Sequence, residues 1–133
     1  FLSLNLLSSK IREEMEIVGI LAQIGAGLWI LNVWILRFNK ETEFRGGDAK
    51  NMLEEFQTYG ISPPLMYLIG GTKLTLAILL IIGVWVEALT RPAAILLGLL
   101  MVGAIGMHLR VGDHVKKAAP AISVLSLSIL ALI

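Results

Sequence analysis

The chain contains no cysteine and only two histidines, and just 16 % of its 133 residues are charged. Without cysteine it can form no structural disulfide, thiolate metal site or dithiol redox couple of its own, so any redox role must borrow its chemistry. His108 and His114 lack the i, i+4 spacing of a helical metal site, and nothing in the sequence marks a haem or zinc centre. No basic run exceeds Lys116-Lys117 and the formal net charge is +1, which excludes the electrostatic footprint of a nucleic-acid binder. No phosphate loop or catalytic triad is visible. The first residues have no basic n-region and no small-residue cleavage pattern, which weighs against a signal peptide.

Apolar residues dominate what is present. Hydrophobic residues make up 56 % of the chain, and its mean hydropathy is +0.82, beyond ordinary globular usage. The surplus apolar surface calls for lipid. Nearly all charges fall between Lys10 and Glu16, Arg37 and Glu55, and Arg110 and Lys117, the pattern of loops separated by bilayer-crossing segments. The expected fold is all-α: a four-helix transmembrane bundle with spans at about 15–36, 65–86, 92–109 and 118–133. Residues 1–14 are too short to cross and form an N-terminal interfacial segment, while 15–133 make a single membrane domain. The chain starts on Phe1 and ends on Ile133 with no polar flank, so both ends are expected to be incomplete.

Between spans one and two, Ala49, Met52, Leu53 and Phe56 recur at helical spacing. Asp48 suits the N-cap and Gly60 the C′ position, which predicts a short amphipathic helix with Glu54 and Glu55 on its outer face. Pro63-Pro64 and Pro120 fit first helical turns. The Glu87–Pro92 segment reads as a short turn between antiparallel spans. Ala22, Ala26, Gly103, Gly106, Ser123, Ser126 and Ser128 are small enough for close helix contact in lipid. Trp29, Trp34, Trp85, Tyr59 and Tyr67 read as interfacial anchors. Lys10, Arg12 and Arg91 lie on one side of the membrane. Arg37, Lys40, Arg45, Lys50, Arg110, Lys116 and Lys117 lie on the other, which places the two long loops on the cytoplasmic or equivalent side of a multi-pass protein.

Lys73 is the costliest residue, because a lysine near the middle of a span costs about 2.5–3.5 kcal/mol on insertion scales. It lies nine residues beyond Pro64, about 13 Å along the helix, too deep for easy snorkelling. Glu87 is about 21 Å away along the same helix and is excluded as its partner. Gln23 and Asn32 of span one, His108 and Arg110 at the end of span three, and Asp113 in the following loop are the polar residues expected to gather around it. Lys73, Asn32, Gln23, His108, Arg110 and Asp113 form the candidate ligand-binding pocket, a site for a ligand, a quinone or proton handling; the alternative is a structural hydrogen-bond cluster that pins the four helices. No catalytic or metal-binding set accompanies them, and chemistry by this chain alone is not expected.

Gly60-Ile61-Ser62-Pro63, Leu68-Ile69-Gly70-Gly71-Thr72-Lys73-Leu74, Gly83 and His108-Leu109-Arg110-Val111-Gly112-Asp113, followed by Lys116-Lys117 and Pro120, occur in an order and spacing that resembles the DoxX-like membrane proteins. The resemblance extends over about residues 15–133. It implies a small four-helix membrane bundle acting as an accessory subunit or assembly factor of a larger membrane complex or homo-oligomer. The alternative it implies is a quinone-linked component akin to the thiosulfate:quinone oxidoreductase subunit. No covalent cofactor is implied, and the candidate ligand is a quinone or a lipid. Many members carry glutamate where this chain has Lys73 and others carry lysine, a departure that argues against carboxylate-dependent chemistry here.

Overall fold

The computed structural model describes residues 2–133. Helix α1 runs from Leu2 to Leu31 and continues into a π-helical turn, Asn32–Leu36, closed by the Arg37 N–H donating to the Asn32 carbonyl at 2.9 Å. No helix boundary falls at residues 14–15: the charged stretch Lys10–Glu16 rides exposed on the same helix, as straight-chain charged residues can. Phe1 of the expected interfacial segment lies outside the described residues. Ala22, Ala26, Ile30 and Trp34, four residues apart, form the buried stripe of α1.

Helix α2 spans Met52–Thr58, α3 Pro63–Ile82, α4 Glu87–Arg110 and α5 Ala119–Leu130; a 3₁₀ turn, Val115–Ala118, precedes α5. No strand occurs among the described residues. Helix α1 packs against α3 and α5, α4 packs against the same two, and α2 lies on α3. Among the described residues three helices, within Ser3–Leu36, Pro63–Ile82 and Glu87–Arg110, are long and apolar enough to cross a membrane. The fourth expected span is not one of them. Its opening residues are taken up by the 3₁₀ turn and Ala131–Ile133 leave the helix, so α5 has 12 residues, about 18 Å of rise.

The short loop helix is present with a different start and face. Asn51, not Asp48, is the N-cap: it is extended and its side-chain oxygen accepts the Glu54 N–H at 2.8 Å. Residues before it are held in a turn, with Ala49 N–H bonded to Gly46 and Met52 N–H to Phe38. The end follows the Schellman pattern, in which Gly60 at φ 77° lets its own N–H reach Gln57 and that of Ile61 reach Phe56. The buried face is Met52, Glu55, Phe56 and Tyr59, whereas Leu53 is turned outward.

At the other end of the bundle the α3–α4 connection is Gly83–Val86, and the expected Glu87–Pro92 turn is the helical start of α4. A three-way contact holds this corner. Gln23 Nε2 donates to the Leu80 carbonyl at 2.6 Å and to Thr90 Oγ1 at 2.8 Å, and Thr90 donates to the Gly83 carbonyl at 3.1 Å. Among the small residues, Ala22 and Ala26 are buried at helix contacts, while Gly103 and Gly106 face open space. Ser123 and Ser126 are exposed and return their hydroxyls to carbonyls one turn back. Gln23→Leu should lower the thermal midpoint in detergent, since roughly 1 kcal/mol of intramembrane hydrogen bonding is removed. An unchanged midpoint would show that this corner does not stabilise the bundle.

Candidate functional site

Lys73 lies on the buried stripe of α3, with Met66, Gly70, Ala77 and Leu80 at spacings of three and four. It therefore points into the protein, as intramembrane charge generally does. Its Nζ sits 5.4 Å from the centroid of the Trp34 ring, a cation–π arrangement. Gly70, one turn earlier, makes this possible: a Cβ there would overlap the Trp34 ring. None of the ion pairs formed among the described residues includes Lys73.

Lys73 opens onto a cavity of about 290 Å³ that also borders Trp34, Glu55, Tyr59 and His108, with apolar walls from α1, α3, α4 and α5. Trp34 and Tyr59 are thus core residues, each 7 % exposed, whereas Trp85 and Tyr67 stay on the outer surface. The roof is a continuous polar chain. Arg45 pairs with Glu55 at 2.9 Å and spends its remaining donors on the Met52 Sδ and the carbonyls of Arg37, Phe38 and Lys40. The other oxygen of Glu55 accepts from Tyr59 Oη at 2.9 Å and from the Gly46 N–H at 3.1 Å. The Tyr59 hydroxyl, its one hydrogen directed to Glu55, faces His108 Nε2 at 3.4 Å. His108 Nδ1 meets Asp113 Oδ2 at 2.8 Å.

The His108–Asp113 pair follows from the backbone. After α4, Gly112 at φ 77° forms a second Schellman turn in which the Gly112 N–H reaches Leu109 and the Asp113 N–H reaches His108. This folds Asp113 back over His108. Its carboxylate also accepts the Gly47 N–H at 3.0 Å and lies 3.9 Å from Lys117 Nζ, which itself donates to the Gly47 carbonyl. Two long loops are thereby tied together across the cavity. Burial acts to raise the Asp113 carboxyl, but the bonds from His108 and Gly47 and the Lys117 charge outweigh it and hold it below its ordinary value. Burial, then the Glu55 carboxylate, pushes the Tyr59 phenol up and keeps it neutral.

Of the six candidate residues, the structure brings Lys73, His108 and Asp113 together at one end. Gln23 belongs to the opposite corner, bonded to Leu80 two turns beyond Lys73. Asn32 is half-buried in the π-helical turn and Arg110 is exposed beyond His108; neither lines the cavity. Arg45, Glu55, Tyr59 and Trp34 were absent from the candidate set. For three of them the signal was available: Met52, Glu55, Phe56 and Tyr59 fall at i, i+3, i+4, i+7, and Trp34 continues the spacing of Ala26 and Ile30.

The model of the DoxX-like family matches residues 44–131. No curated protein and no solved structure matches the chain. The matched stretch contains Arg45, Glu55, Tyr59, Lys73, His108 and Asp113, while Trp34 precedes it.

Two outcomes follow from the roof. Arg45→Met leaves Glu55 buried without its cation and should cost roughly 3–5 kcal/mol in denaturant unfolding, much of it recovered when Glu55→Gln is added; additive losses would rule out a coupled pair. Asp113, ordinarily titrating near 3.8 and lowered here, adds stability above that value and loses it as pH falls through the folded-state value. Asp113→Asn should flatten this acid limb of the thermal midpoint, and an identical limb would rule the contribution out.

Proposed function

The chain belongs to the DoxX-like family, and we propose that it is a four-helix integral membrane component of a larger assembly, holding a lipid-soluble ligand in the cavity beneath its two long loops. One observation carries this reading: Lys73 is buried, 8 % exposed, outside any ion pair among the described residues, and opens onto a cavity with mostly apolar walls. A lysine contributes nothing to helix packing that an apolar residue of similar size would not contribute without the cost of burying its charge. Its presence is accounted for by something that the cavity receives. In this arrangement α5 serves as the fourth span, and the basic long loops face the cytoplasmic or equivalent side.

A second reading, a quinone-linked component, is supported by the placing of donors around an aromatic wall. A flat head group beside Trp34 would have the Lys73 ammonium within reach of a carbonyl oxygen and the Tyr59–His108 pair bordering the same space. Electrons would pass to or from a partner's cofactor, since the chain has no cysteine to take them. Under either reading the chain binds and positions, and the larger assembly supplies the chemistry.

Protein purified in mild detergent should release a lipid-soluble molecule in stoichiometric amount on organic extraction, read by mass spectrometry. Lys73→Met should lose most of that ligand while keeping its helical content and elution volume. A parent protein with no extractable ligand, or a variant that retains it fully, would overturn the reading.

A further inference from the structure

The charges bordering the cavity are unequal. Arg37, Arg45, Lys73 and Lys117 face it, against the single acid Glu55. Glu55 is already engaged by Arg45, Tyr59 and the Gly46 N–H. Lys117 is engaged by Gly47 and Asp113, and Arg37 is exposed at the rim. Lys73 is left as the buried cation outside any ion pair among the described residues, and the Glu55 carboxylate, already shared by Arg45 and Tyr59, acts on it only through space. The indole face beneath it, 5.4 Å from the Nζ, returns only part of what withdrawing an ammonium from water costs. An oxyanion in the cavity would make up that deficit.

The shape of the cavity says what carries the oxyanion. Its remaining walls include Ile30, Val33, Ile69 and Leu100, which favour a hydrocarbon chain over a hydrated small ion. Leu99 and Gly103 on α4 line the cavity and also reach the outer surface, where Leu99 is 63 % exposed. A Cβ added at Gly103 would meet nothing within 4 Å. The cavity therefore communicates with the lipid-facing side. We propose that its ligand is an anionic amphiphile whose carboxylate or phosphate head pairs with Lys73 and whose tail leaves over Leu99 and Gly103. This rests on the ligand-binding reading above and adds the charge of the head group.

The full chain in phosphatidylcholine nanodiscs, titrated with oleate, dioleoyl phosphatidic acid, oleyl alcohol, a short-chain neutral quinone and inorganic phosphate, separates the outcomes. Oleate or phosphatidic acid should bind at least about tenfold more tightly than the alcohol, and which of the two binds distinguishes a carboxylate from a phosphate head. Lys73→Met should bring acid and alcohol to the same affinity, and Lys73→Arg should restore the difference. Gly103→Leu, which leaves Lys73 in place, should weaken long-chain acids selectively. Equal binding of acid and alcohol, or tight Lys73-dependent binding of the neutral quinone alone, would overturn the charged-head proposal and leave the ligand-binding reading standing. Competition by inorganic phosphate would overturn the amphiphile and make this a small-ion site. Binding of none of the five would overturn both readings.

Discussion

An ammonium group kept from water beside an indole ring sets the terms for the rest of the molecule. Lys73 reaches that position because α3 turns its Met66–Gly70–Lys73–Ala77 stripe inward, and because Gly70 leaves room for Trp34 to lie beneath it. Two neighbours limit the cost of a charge at that depth: the aromatic face of Trp34 and, from the polar roof, the Glu55 carboxylate. Had the same lysine been on the outward face of α3, it would have met hydrocarbon, and the helix would be a poor candidate to cross a membrane at all.

The two ends of the bundle are held by different physics. At the end away from the long loops, Gln23 joins three helices through neutral hydrogen bonds to Leu80 and Thr90. At the other end, charge does the work: Arg45 gathers the carbonyls of the first long loop and neutralises Glu55, and Asp113 binds the second loop to the first through Gly47. The neutral fastening suits a region surrounded by lipid. The ionic one suits a boundary where water and headgroups can complete whatever the protein leaves unmet.

Much of this was legible from residues alone. Three of the four expected spans, the helix end at Gly60, the inward placing of Lys73 and the approach of His108 and Asp113 all follow from spacing and cost. What escaped did so for identifiable reasons. Arg45 stands in a polar loop, where charged residues are ordinarily solvated, and its pairing with Glu55 of α2 depends on a fold-back that periodicity does not encode. The apolar spacing of α2 points to Leu53, whereas the inward face runs through Glu55. Thr90-Arg91-Pro92 has turn chemistry, but Thr90 is held in α4 by its bonds to Gln23 and Gly83. Gln23 stays out of the cavity because α1 and α3 meet there with Gln23 beside Leu80, two turns beyond Lys73. Trp34 has the composition of an interfacial anchor and the spacing of a core residue, and spacing prevailed.

The glycine turn that closes α4 has a consequence for how this sequence can vary over time. His108 and Asp113 meet because the backbone bond between them spans five residues, not because of the side chains in between. The exposed Leu109 and Arg110 are therefore open to exchange, whereas a single-residue insertion or deletion there would carry the aspartate off the imidazole. Divergence in this segment is constrained in length before it is constrained in letters.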